Sequence, residues 1–368
     1  MKPGSVVFAL LFIATLCHAS MLFAQSDGQQ GVTLPPAAIT QASLLTLPGD
    51  GRPTKVRAAF HLRNINWIDD ETETFEFSGV LTLTWQDPRQ AFDPAIEGIA
   101  EKIYQGAYQF NELSPAWYPQ VVLANEVGAH EKDAVLLRVK SDGTSTLVET
   151  VNAVAKTKLN LRRYPYDSQH LEAVFEVLGV DTGEVVLEAE PIPGRSRGHE
   201  IRIPQWKLSE IGVSIRNSDA PYAGSRGVIP VFVLTVDVQR QSLFMLRLVV
   251  LPLILIVILS WSVFWMERSS LGERMDVSFV GILTAVAYQV LVSEILPQIS
   301  YITLIHAFLS FSFFLMCLTV VVNLVVGVCD KNGNPALGDR IDRFCRWGFP
   351  SLYVGLLASS VVIMFFYL

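Results

Sequence analysis

Past residue 242 the chain consists of four long apolar stretches, at about 243–266, 275–295, 301–328 and 347–368, and no other feature restricts the fold so severely. A hydrocarbon core of about 30 Å takes about 20 apolar residues as an α-helix, in which every backbone N–H and C=O is satisfied within the segment. The third stretch holds a single ionisable side chain, His306. Between the third and fourth lies "CDKNGNPALGDRIDRFCR" (329–346), with Lys331, Arg340, Arg343 and Arg346, whereas "EILPQISY" between the second and third has no Lys or Arg. The positive-inside rule puts the basic loop in the cytoplasm and the neutral link outside. Residues 242–368 are therefore expected to form a four-helix transmembrane bundle.

Residues 1–24 combine Lys2, the apolar run Val6 to Leu16, and a small residue for cleavage at Ala19 or Ala24, the pattern of a signal peptide. That pattern delivers residues 25–241, an ordinary polar segment, to the outer side of the membrane, and an even number of spans returns the C-terminus there. The four cysteines are Cys17, Cys317, Cys329 and Cys345, none of them in 25–241, so no disulfide staples the outer domain. Neither zinc spacing nor any other cofactor motif is present, and no cofactor is expected. A formal charge of −7 argues against a nucleic-acid partner.

The outer domain alternates with period two. In "FEFSGVLTLTW", Phe75, Phe77, Leu81, Leu83 and Trp85 share one face. "LEAVFEV" repeats this through Leu171, Ala173, Phe175 and Val177, and "VFVLTVDV" through Phe232, Leu234, Val236 and Val238. Half-buried strands have this pattern. Turn signals such as Ser141-Asp142-Gly143 and Asp181-Thr182-Gly183 separate them, and many short strands joined by tight turns predict an all-β sandwich. No Ser-His-Asp grouping, Walker loop or HExxH helix occurs, so an enzyme is not expected.

The second apolar stretch carries a further pattern. From Asp276, helical steps of four and three reach Val280, Leu283, Ala287, Val290 and Glu294. The stripe is acidic at each end and apolar at the waist. Acids facing lipid are costly, so the stripe is expected to face water or protein. One helix cannot enclose water, and symmetric copies are required. Rings of carboxylates at the mouths would gather cations, and a ring of Leu283 would close by dewetting. Taken singly, each acid also fits a helix end in the headgroups.

One loop stands apart from the strands: "RRYPYDSQ", 162–169, in which proline rules out the middle of a strand. Its Tyr164-Pro165-Tyr166-Asp167 core resembles the signature loop of the pentameric ligand-gated ion channels, the Cys-loop receptor superfamily, particularly their bacterial branch. Thr157 and Leu171 stand where other members close the loop with a disulfide. "WQDPR" (Trp85, Asp87, Arg89), "AWYPQVVLANE" (Trp117, Pro119, Asn125), Pro252, and "GERMDVSF…ILP" through Pro297 match further motifs in the same order. The resemblance implies a homopentameric channel in the bacterial inner membrane, with a periplasmic ligand-binding domain and monovalent cations passing along the second span. Glu273 would form the cytoplasmic-mouth ring and Asp276 the narrowest one, a site for divalent blockers. Asp167 would pair with Arg240, a cation shared with Asp69 and Asp70, and the tyrosines would press on the link holding Pro297.

The agonist is left open, between a small amine and protons. An aromatic pocket could hold an amine by cation–π attraction, from Phe77, Phe175 and Tyr222; the first two fit the core-facing alternation equally well. Glu73, Asp69, Asp70 and His306 could titrate. A non-conducting, membrane-anchored periplasmic binding module is the alternative, although it has no need for acids at both ends of one helical face.

Overall fold

The computed structural model describes residues 46–48, 51–106, 116–128, 131–190, 203, 205–223, 227–267 and 271–366; the signal-peptide pattern of residues 1–24 lies outside them. Alternating segments form strands: β1 (Thr54–Asp69), β2 (Thr74–Gln86), β3 (Glu101–Gln105), β4 (Val121–Leu123), β5 (Glu131–Lys140), β6 (Thr144–Lys156), β7 (Ser168–Val177), β8 (Val185–Ala189), β9 (Trp206–Asp219) and β10 (Val228–Arg240). One sheet has the order β3-β5-β6-β2-β1-β8, the other β4-β7-β10-β9. Their inner faces meet as a β-sandwich.

The core is aromatic at its centre. Phe60, Phe75, Phe77, Phe175 and Phe232 are all buried, and Phe77 meets Phe175 edge-on across the two sheets at 6.4 Å. Such pairs add about 0.5–1.5 kcal/mol to the gain from burial alone. Gly79 is required here, because a Cβ would lie 2.4 Å from the Phe60 ring. In place of a disulfide, the Thr157 hydroxyl bonds the β7 backbone on either side of Leu171, donating to His170 O and accepting from Glu172 N. Asn125 ties the two sheets by donating to Lys156 O and Glu172 O and accepting from Val174 N. β10 departs from the half-buried expectation. Its second face is also covered, with Val231 and Val233 against Ala220, Ala223 and Ile229.

Four helices follow: α1 (Leu243–Trp265), α2 (Leu271–Ser293), α3 (Leu304–Lys331) and α4 (Pro335–Phe366). Among the described residues, α1, α2 and α3 are long and apolar enough to cross a membrane. α1 contains a π-turn at Leu246–Val250, just before Pro252. Proline has no N–H for the carbonyl of Leu248, and the Tyr288 hydroxyl of α2 donates to Leu248 O at 2.8 Å instead. The basic segment 329–346 is not the loop expected. α3 runs on to Lys331 and α4 begins at Pro335, leaving a short turn, so Arg340, Arg343 and Arg346 are helical. Amphipathic sequence ahead of an apolar span extends a helix beyond the hydrocarbon, and hydropathy cannot see it.

The five-ring core yields a stability prediction. Phe77→Ala removes a fully buried ring and is expected to cost about 3–5 kcal/mol, seen as a clear fall in the thermal midpoint of the detergent-solubilised protein. An unchanged midpoint would show that the ring is not part of the core.

Candidate functional site

Two groups of residues combine chemistry with position. The first surrounds Arg240, the last residue of β10 and three residues ahead of α1. Its Nε donates to Asp167 Oδ1 at 2.8 Å, and its Nη2 donates to Asp167 Oδ2 at 3.1 Å and to Asp70 Oδ1 at 2.7 Å. The guanidinium lies over Trp206 at 4.0 Å and Tyr164 at 4.6 Å. Arg240 N also donates to Asp167 O at 3.0 Å, so backbone and side chain fix the same partner. Asp167 is held in turn by Gln169, whose Nε2 donates to Oδ2 at 2.6 Å.

One cation and two acids share this enclosure, and the protonation energetics are unequal. Burial pushes the Asp70 carboxyl above its ordinary value, against the pull of its single bond from Arg240. Arg240 is itself raised: burial works against its charge, but the bonds to Asp167 and Asp70 outweigh it. A strong pair raises the base and lowers the acid, and between Arg240 and Asp70 only the first occurs. The raised Asp70 has a physical cause, because Asp167 takes two of the guanidinium's three bonds and leaves Asp70 the less compensated acid. Burial also pushes the Tyr164 phenol up to about 12.

Asp69, expected to share the cation, does something else. Its Oδ1 accepts from the backbone N–H of Glu71 at 2.8 Å and of Thr72 at 3.2 Å, closing its own turn. Slight burial raises its carboxyl, and these bonds more than reverse that. In the Tyr-Pro-Tyr loop, Tyr164 and Pro165 are buried and Tyr166 is half-buried. The residues just before it hydrogen-bond the link after α2 and the start of α3. Leu161 N donates to the Tyr301 hydroxyl at 3.0 Å, and Leu304 N donates to Arg162 O at 3.3 Å. Pro297 is buried beside Leu296. His306 opens α3 with its Nδ1 2.6 Å from the Thr303 hydroxyl. Glu73 is a half-buried turn residue at φ 55°, with its carbonyl accepting from Thr157 N.

The second group is the stripe of α2. Glu273, Asp276, Val280, Leu283, Ala287, Val290 and Glu294 are all exposed, whereas Arg274, Ser278, Ala285 and Val292 on the other side are buried. Val280, Leu283 and Val290 are 62%, 70% and 60% exposed. An uncovered apolar row between two acids is thus present in the single chain. Among the described residues no group of three or more His, Cys, Asp or Glu, around Asp276 or elsewhere, is arranged to hold a metal ion.

The proposed aromatic pocket is not assembled. Phe77 and Phe175 are 0% and 3% exposed, their rings locked in the core, and neither can meet a solvent ligand. This corrects their place among the ligand candidates. Tyr222 is 65% exposed and its hydroxyl donates to Glu176 Oε1 at 3.0 Å, which together with slight burial raises its pKa. "WQDPR" is a structural clasp: the fully buried Asp87 caps the turn Pro88–Gln90 and binds Arg89 Nε and Nη2 at 2.8 and 2.9 Å. Trp206, Tyr301 and Tyr288 were not singled out in the sequence. Trp206 at the start of β9 and Tyr301 ahead of α3 stand at element ends, whereas Tyr288 lies inside α2, where no local signal marks it.

Comparison with known proteins adds two family matches. Residues 44–241 match the neurotransmitter-gated ion-channel ligand binding domain, and residues 249–335 match the neurotransmitter-gated ion-channel transmembrane region. The chain is 26% identical over 315 residues to a proton-gated ion channel of Gloeobacter violaceus, covering 86% of this chain and 84% of that one. It is 25% identical to pH-sensitive chloride channel 2 of Anopheles gambiae and 25% identical to a gamma-aminobutyric acid receptor subunit beta-like protein of Drosophila melanogaster. These alignments cover 70% and 72% of this chain, and 43% and 54% of the two relatives, so the chain spans about half their length.

Arg240→Ala would leave two acids buried without their cation, a loss of about 3–5 kcal/mol. Reduced assembly and a lower thermal midpoint are the expected outcome, with Arg240→Lys in between because an ammonium cannot reproduce the fork. An alanine variant that melts with the parent would show that the acids do not depend on this cation.

Proposed function

The chain belongs to the neurotransmitter-gated ion-channel family, and from that premise we propose that it forms a homopentameric, cation-selective channel of the bacterial inner membrane, opened by a ligand from the periplasmic side. α2 lines the axis in this reading, with Glu273, Asp276, Val280, Leu283, Ala287, Val290 and Glu294 facing it. The carrying observation is the exposure of the first six on one side of a helix whose opposite side is buried, with exposed Glu294 just past its end. In a ring, the acids concentrate cations at both mouths and repel anions, and Leu283 supplies a constriction that dries when narrow. The sandwich, with β10 running directly towards α1, supplies the lever, and Arg240 with Asp70 and Asp167 supplies the joint. The basic side chains Lys331, Arg340, Arg343 and Arg346 support a cytoplasmic position for the α3–α4 end.

In a gradient of sodium chloride the reversal potential is expected to follow sodium. Calcium is expected to block from the cytoplasmic side, and Asp276→Asn to weaken that block at least about tenfold by removing the narrowest ring of charge. Anion preference would overturn the selectivity, and unchanged block in Asp276→Asn would remove Asp276 from the ring. A protein that never conducts would be the anchored binding module instead.

Protons are the agonist this reading favours, supported by a relative that is a proton-gated channel and by the uneven junction. The folded pKa of Asp70 is raised above its ordinary 3.8. Its charged form is therefore the disfavoured one; the destabilisation is present above the raised value and is relieved as pH falls through it towards 3.8. Acidification thus neutralises Asp70 and frees Arg240 Nη2. A step from pH 7 to about 4 is expected to evoke current, and Asp70→Asn to shift the half-activation pH by more than about half a unit. Superimposable pH curves would exclude Asp70 as a sensor.

A further inference from the structure

We propose that Asp342 of α4 sets the charge selectivity of the pore by holding Arg274 inside the subunit, off the acidic mouth. The proposal rests on the cation-selective reading of α2. Arg274 stands between the two acids at the lower end of the stripe, immediately after Glu273 and two residues before Asp276. A guanidinium at the mouth would cancel one of those carboxylates in every subunit. The structure puts it elsewhere. Arg274 is 1% exposed, with Nη1 donating to Asp342 Oδ2 at 3.2 Å and Nη2 to Asp342 Oδ1 at 2.9 Å. Glu273 and Asp276 remain exposed.

Helix geometry and chemistry both contribute to this division. Arg274 lies on the side of α2 that includes Ser278, Ala285 and Val292, whereas Asp276 begins the exposed stripe. Geometry alone does not keep a long cationic side chain from bending back to water at a helix end, since arginine readily snorkels. The two-pronged bond to a carboxylate fixes both the direction and the charge of the guanidinium.

Stability is a poor explanation for such a pair. Buried ion pairs are commonly no better than apolar replacements, and here the Arg274 Nε has no hydrogen-bond partner. What the pair does accomplish is electrostatic. With Asp342 charged, it is neutral and the mouth's field comes from Glu273 and Asp276. Without that charge, the guanidinium is left unneutralised within the same helical turn as both acids. Half of the local net negative charge is then lost, although no residue of the stripe has changed. A helix that contributes nothing to the stripe would thereby decide which ions enter it.

The test uses the full chain in planar bilayers, in a Leu283→Ser background whose leak requires no agonist, with reversal potentials read in a sodium chloride gradient. Asp342→Asn is expected to lower the sodium-to-chloride permeability ratio at least about twofold, and Arg274→Gln added to it to restore the parent ratio. A ratio unmoved by Asp342→Asn overturns the proposal. Should Asp342→Asn fail to assemble, thiol reagents applied from the cytoplasmic side decide the matter with Asp342 in place. Asp276→Cys is expected to react at least about tenfold faster than Arg274→Cys, and equal rates overturn the proposal. A parent that itself prefers chloride would defeat the cation-selective reading, while the change between parent and Asp342→Asn would still report on Asp342.

Discussion

A single guanidinium shared by two carboxylates governs this molecule. Arg240 closes β10, and three residues later the chain enters α1. The groups around it come from separate connections: Asp70 from the β1–β2 turn, Asp167 and Tyr164 from the loop before β7, and Trp206 from the start of β9. In the proposed channel, a change in that enclosure would act on the start of the first helix, three residues away. The charges do not balance, since two acids face one base. Asp167, with bonds from Arg240 and Gln169, is well compensated, and Asp70 is not. In the proposed channel, the less compensated partner is the one whose release would give the junction a second arrangement, the property a switching element needs.

From that junction a chain of hydrogen bonds leads to the helices. Gln169 joins Asp167 to Asn160, donating to its carbonyl at 2.9 Å while accepting from its N–H at 2.9 Å. The next residues, Leu161 and Arg162, bond Tyr301 and Leu304 at the head of α3. Pro252 frees the carbonyl of Leu248, and the Tyr288 hydroxyl ties α2 to α1 there. In the proposed channel, displacement of the loop would load the link after α2 through its backbone, and α2 would carry α1 with it. Directional bonds to main-chain atoms suit such transmission, because they cannot slide as apolar contacts do.

The sequence was most informative where periodicity maps directly onto burial. The predicted inner faces of β2 and β7 are the buried ones, residue for residue through Phe75, Trp85, Leu171 and Val177. Six positions of the stripe, from Asp276 to Glu294, follow from helical spacing, Glu273 follows from the resemblance, and all seven are exposed. Periodicity failed where a second layer intervened: β10 is covered on both faces because the 220–223 turn folds over Val231 and Val233. It also failed where neighbours in sequence divide their work. Asp69 and Asp70 are indistinguishable by composition, yet one closes a turn and the other reaches Arg240. Trp206 was missed because its partner is a cation 34 residues away across a strand pair, and no local pattern encodes that stacking. The extent of α4 was missed because its first turns lie beyond the apolar run, where hydropathy is silent.

In the proposed channel, the chemistry at the waist of α2 gives the acid at each end its part. Next to Leu283 stands Thr284, whose hydroxyl could have offered water a foothold. It donates instead to Val280 O at 2.8 Å, within its own helix. Ser293 does the same towards Val290 O at 2.7 Å. With the Thr284 donor turned to its own helix, the stripe positions from Val280 to Val290 (Val280, Leu283, Ala287 and Val290) offer only hydrocarbon. A narrow ring of such stripes would expel water, and an ion crossing it would lose hydration with little in exchange. Lowering the entry energy at either side is the remaining means of making passage selective, and Glu273 with Asp276 below and Glu294 above can do that for cations alone. In that channel, placing Arg274 out of reach would follow from the same requirement, because a dry waist would leave all discrimination to the charges at its two ends.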